Sequence, residues 1–251
     1  MSIAAAVPRV PAMVTTGAPG RRYDHYFFSG MALLILFTVF LGFAHSYYLA
    51  GMFNAPLPSR IIHLHGAVFT CWILLLVTQT SLVASGRVDI HRRLGIAGFF
   101  LACLMLVLGV LAATDSLAHR VSPSGIPPKL FYIIPMADML IFGTLVFFAF
   151  RARSNPTAHK RLILVATVSL MIAAIARWPL AFTHRNPLRA TLLTYVFLLM
   201  LVAYDLWSTR KVHRATIWAC GFLIFVQQIR MPVGETAAWQ AFASWAQTLA
   251  R

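Results

Sequence analysis

Residues 61–114 read IIHLHGAVFTCWILLLVTQTSLVA, then SGRVDIHRR, then LGIAGFFLACLMLVLGVLAAT. Two apolar runs, 61–84 and 94–114, flank a turn that carries Arg87, Arg92 and Arg93. A hydrocarbon core about 30 Å thick is crossed by about 20 apolar residues rising about 1.5 Å each. Each run is long enough to cross, and the turn is long enough only to reverse the chain. This stretch therefore predicts two antiparallel membrane helices.

The same test applied outward predicts further spans at about 27–50, 130–150, 162–181 and 190–207, and a shorter seventh at about 215–231. The composition agrees. The 251-residue chain is 60% hydrophobic and 11% charged, against about 45–50% and about 25% in soluble domains. That excludes a soluble domain and a disordered chain, and three cysteines exclude a disulfide scaffold. The fold class is all-α, a polytopic bundle of about seven transmembrane helices spanning 23–232. Residues 1–22, rich in Pro and Ala with no signal-peptide core, read as a flexible N-terminal tail. Residues 233–251 place Trp239, Phe242, Trp245 and Leu249 on one helical stripe, which predicts an amphipathic helix lying at the outer membrane interface or packing on the bundle.

Charge placement orients the bundle. The formal net charge of +15 would suggest nucleic acid in a soluble protein. Here 13 of the 21 Lys and Arg fall in the tail and in the turns after the second, fourth and sixth spans, and 8 fall on the other side. The excess puts the N-terminus inside and the C-terminus outside, with the lipid bilayer and not nucleic acid as the partner. Three inner turns repeat a pattern: Asp89-Ile90-His91-Arg92-Arg93-Leu94, Ala158-His159-Lys160-Arg161-Leu162 and Lys211-Val212-His213-Arg214. Each sets a histidine among basic residues at the start of an outward-going helix. Such groups contact lipid phosphates; a proton-responsive or anion-binding inner face is the functional alternative. Asp205 is expected to pair with one of these cations, and Gln79 to hydrogen-bond across helices.

The outer half collects His45, His63, His65, Asp138, Arg177, Gln227, Gln228 and Arg230. Ionisable groups inside a membrane are costly and mark candidate sites. Asp138 falls about 12 Å and Arg177 about 6 Å below the outer boundary, on consecutive helices, so they are expected to pair. Pro135 frees a carbonyl near Phe131 and predicts a kink. His63 and His65 point about 200° apart on a helix, so one faces inward, and His65 is deeper and followed by Gly66. Imidazoles on facing helices suit haem b or a transition metal, with His45 and His65 as ligands and His63 next. Arg177 and Gln228 would hold propionates or a quinone head, and Asp138 would neutralise or orient them. This reading is electron transfer, or an accessory subunit of a membrane oxidoreductase with other membrane subunits as partners. The alternatives are a transporter or lipid- or quinone-binding protein, and a structural subunit without a cofactor. The sole Glu, Glu235, rules out a Glu-x-x-His di-iron bundle, no Cys-x-x-Cys-His haem attachment occurs, and no span holds a Lys for a Schiff base.

The runs His63-Leu64-His65-Gly66-Ala67-Val68-Phe69-Thr70-Cys71-Trp72, Gly86 to Gly95, His159-Lys160-Arg161-Leu162 and Ala176-Arg177-Trp178-Pro179 resemble a group of uncharacterised bacterial multi-pass membrane proteins with His-(Arg/Lys)-Arg-Leu inner turns. The resemblance covers about residues 60–215. It implies a multi-pass fold in the bacterial plasma (inner) membrane and no particular reaction. In architecture alone the chain is similar to helical b-type cytochromes.

Overall fold

The computed structural model describes residues 23–56, 58–122, 125–180 and 187–250, so the tail expected at 1–22 lies outside the described residues. The described residues form α1 (Asp24–Phe43, continued by a π-helical turn at Ala44–Tyr48), α2 (Arg60–Ala84), α3 (Val88–Ala118), α4 (Pro128–Phe131) and α5 (Ile133–Arg151). There follow α6 (Pro156–Ser169), α7 (Met171–Ile175), α8 (Pro187–Thr209), α9 (Arg214–Glu235) and α10 (Ala237–Leu249), and no strand occurs among the described residues. Seven segments are long and apolar enough to cross a membrane, with α4–α5 and α6–α7 each counting as one. The chain is an integral multi-pass membrane protein.

Two spans begin earlier than their apolar runs suggest. The α6 helix starts at Pro156 because Asn155 accepts a hydrogen bond from the Ala158 amide at 3.3 Å and proline tolerates the first helical position. His159, Lys160 and Arg161 therefore ride on the helix and not in the turn. The α3 helix likewise takes in His91, Arg92 and Arg93. Regular helix breaks at Tyr132, between α4 and α5, where Pro135 leaves the Phe131 carbonyl without its usual donor.

The α6–α7 span runs through the middle of the bundle, against α5 and α9 in its first part and α1 and α8 in its second. Val165, Ala166, Ser169, Met171 and Ile175 on it are buried. Its two halves meet at Leu170, whose amide bonds the Thr167 carbonyl in a tighter turn. The second half lies hard against α1: a Cβ on Gly42 would stand 2.7 Å from the Ala174 carbonyl carbon. Large apolar side chains such as Leu64, Leu74, Phe100, Val107 and Leu111 face outward from α2 and α3, as lipid and not water requires.

The turns α2–α3, α5–α6 and α8–α9 lie at one end of the bundle, the basic end; α10 lies at the opposite end. One face of α10 packs on α3 and α4 through Ala243 and Ala246, against Leu117 and Tyr132. Trp239 Nε1 donates to the Lys129 carbonyl at 2.9 Å, and Gln247 Nε2 to the Leu117 carbonyl at 3.0 Å. The aromatic stripe is thus divided: Trp239 turns inward, while Phe242, Trp245 and Leu249 stay exposed.

Candidate ligand-binding site

At the opposite end, α2 carries His65 and the chain just beyond α7 carries Arg177, near enough for the Arg177 charge to bear on the imidazole. The α2 helix starts at a capping serine, with Ser59 Oγ accepting from the Ile62 amide at 3.4 Å. This phase leaves His63 exposed and half-buries His65, the divergence that two-residue spacing on a helix requires. Tyr47 fills the space beside Gly66, where a Cβ would come 2.9 Å from its ring, and its hydroxyl donates to the His63 carbonyl at 3.0 Å. Tyr48 Oη and Thr70 Oγ1, 2.8 Å apart, fasten the π-helical turn to α2 a little deeper.

The His65 ring lies 4.0 Å from the Phe69 ring and faces the Leu108 backbone carbonyl of α3, and its Nδ1 is buried with no hydrogen-bond partner. Arg177, two residues beyond α7, donates from Nη1 to the Ala173 carbonyl at 2.7 Å and sits 5.0 Å over the Phe43 ring. Its charge is felt at His65. No carboxylate lies within ion-pair distance of Arg177 among the described residues. This end therefore carries an exposed guanidinium with donors to spare and, within reach of its charge, a half-buried imidazole whose Nδ1 is enclosed, each beside a phenyl ring. Such a set suits an oxygen-rich head group on an apolar body.

The other expected site residues are placed elsewhere. His45 is exposed on the π-helical turn and stacks on Phe53 at 4.6 Å. No group of three His, Cys, Asp or Glu side chains able to hold a metal ion forms among the described residues. Asp138 does not pair with Arg177. It bonds Arg230 Nη1 at 3.1 Å, and both partners are buried. The expected pairing fails because α5 turns this face to α9, whereas the half-span that leads to Arg177 packs on α1 and α8. Gln228 is exposed and donates to Tyr195 Oη at 3.2 Å. Its neighbour Gln227 points into the bundle, 5% exposed, with neither amide atom partnered.

At the basic end Asp205 pairs with one of the expected cations, Arg161 on α6. Arg161 Nε donates to its Oδ1 at 2.9 Å, while Oδ2 accepts from the His213 amide at 3.0 Å and Thr216 Oγ1 at 2.6 Å. Every carboxylate oxygen is engaged, which is what permits a fully buried Asp there. Asp24 binds Lys160 and accepts from Tyr204 Oη at 2.6 Å, a link the sequence did not signal because the three are far apart in the chain. His213 Nδ1 accepts from the Ala215 amide at 3.1 Å and caps α9, and burial beside Arg161 pushes its pKa below the ordinary histidine value. Gln79 meets α3 through its backbone carbonyl, which faces the His91 ring, while its side-chain Oε1 is buried without a partner.

A groove of about 470 Å³ between α2 and α3 is walled by Cys71, Leu74, Leu75, Leu94 and Leu101 on the lipid side and offers no chemistry. No family model, no curated protein and no solved structure matches this chain.

Proposed function

We propose that this protein binds an amphiphile with an oxygen-rich head group, a quinone or an anionic lipid, at the end of the bundle that carries His65 and Arg177. The observation that carries the reading is the pairing of a guanidinium without a carboxylate and a buried imidazole nitrogen without a partner, both beside phenyl rings. Arg177 binds the carbonyl or phosphate oxygen, His65 takes the second hydrogen bond, and Phe43 and Phe69 bound the apolar part. A charge-assisted bond of this kind contributes about 1.5–3 kcal/mol. The excess of Lys and Arg at the basic end supports a bacterial plasma membrane orientation with that end in the cytoplasm and the opposite end outside.

Haem b is the second reading, with His65 as axial ligand and Arg177 on a propionate. His45 would have to leave Phe53 to serve as the other ligand. The Leu108 backbone carbonyl faces the His65 ring, as it would behind a ligating imidazole, so the missing second axial ligand is what weighs against haem. The amphiphile reading needs no such movement.

Protein extracted in mild detergent and purified distinguishes the two. Its absorption spectrum is expected to lack a Soret band, and its organic extract to contain about one quinone or anionic lipid per chain, depleted in His65→Ala and Arg177→Gln. A Soret band that disappears in His65→Ala would replace the amphiphile with haem. An extract unchanged by both substitutions would overturn the site.

A further inference from the structure

At the basic end, the first turns of α3 and α6 bring two imidazoles together. The ring centroids of His91 and His159 are 6.3 Å apart and their planes stand at 84°. Gln79, near the end of α2, joins them. Its amide nitrogen would meet a Cβ on Gly95 at 3.6 Å, and Gly95 is one helical turn from His91. The His91 ring faces the Gln79 backbone carbonyl, while His91 Nδ1 and Gln79 Oε1 are buried without hydrogen-bond partners. His159 Nδ1 lies 2.9 Å from the Ala149 carbonyl, which can only accept, so Nδ1 keeps the proton and Nε2 keeps a lone pair. A backbone carbonyl fixing one ring nitrogen is the usual support of a metal-ligating histidine.

The spacing selects among occupants. Two imidazoles hydrogen-bonded directly, at about 2.9 Å between nitrogens, have centroids about 5 Å apart, closer than the pair observed. With metal–nitrogen bonds of about 2.0 Å, two rings at a tetrahedral angle have centroids about 5 Å apart, and two rings on opposite sides of one ion about 6 Å. With the free nitrogens turned toward each other, the observed separation is that of the linear arrangement. The donors are all neutral, and the charge of Arg92 reaches His91, which penalises a dication more than a monocation. A monovalent ion that accepts imidazole and tolerates linear two-coordination is copper(I). The geometry points to a copper(I) site between His91 and His159, with the Gln79 carboxamide as an outer contact.

The test is anaerobic titration of the purified full-length protein with copper(I) against a chromophoric copper(I) chelator. The parent is expected to withdraw one equivalent. His91→Ala and His159→Ala lose it, His213→Asn at the same end retains it, and Gln79→Leu weakens it about 10- to 100-fold, the range for outer-sphere partners. X-ray absorption of the loaded parent, which needs no variant, is expected to show two nitrogen neighbours. Failure of the folded parent to compete with the chelator, preference for zinc(II), four-coordination, or retention by both histidine variants would each overturn the site. In those cases the gap between the rings holds a bridging water only.

Discussion

Asp138 and Arg230 show what one residue contributes when its solvent is lipid. Each would be prohibitive alone, and they persist because each is the other's counter-ion. Asp138→Ala and Arg230→Ala are each expected to lower stability by about 3–5 kcal/mol by stranding the other charge, whereas the double replacement by Leu and Met restores most of the loss. Thermal unfolding in detergent reads both. Gln227 is the opposite case, since burying an unpartnered amide costs about 1–3 kcal/mol. Gln227→Leu is expected to leave the protein as stable as the parent or more so; a clear loss in denaturant titration would mean that something bonds the amide in the membrane. His213 adds a pH term. Its folded pKa is depressed, so the folded state holds fewer protons, and its contribution is complete above about pH 6.5. That contribution is lost as the pH falls from there through the folded value. His213→Asn, which preserves a capping oxygen, should flatten the fall in melting temperature between about pH 7 and 5.

Among the elements, α10 and α7 divide the work of closing the opposite end. The packed face of α10 is made of alanines, and its exposed face of Phe242, Trp245 and Leu249 has the aromatic character suited to the level where head groups meet the hydrocarbon. Trp245 fluorescence should be quenched by lipids brominated near the head group more than by those brominated near the chain end. Ala243, fully buried, has no room for growth, so Ala243→Leu should detach the helix and raise proteolysis at the end of α9. Gly42 plays the same part for α7. A side chain there must move the Ala174 backbone, so Gly42→Val should displace Arg177 and reduce ligand retention more than it reduces melting temperature.

In the whole molecule, the seven spans were legible because lipid imposes a length on every crossing, and that length is written in uninterrupted apolar runs. Helix starts were less legible, because Asn155 and Arg87 precede polar first turns that hydropathy assigns to the loop. The divergence of His63 and His65 followed from helical phase alone. The partner of Asp138 did not, since adjacency in sequence favoured Arg177 and only the packing of α5 on α9 decides for Arg230. The sequence put His91 and His159 on one inner face but not in contact, and their meeting beside Gln79 depends on the ends of α2, α3 and α6 converging. Arg177 and His65 are proposed to hold an amphiphile at the end opposite the basic turns. Native mass spectrometry of the protein released from detergent tests this most directly. One bound adduct of quinone or anionic-lipid mass is expected on the parent and is lost from Arg177→Gln; equal occupancy in parent and variant, or no adduct on the parent, would contradict it.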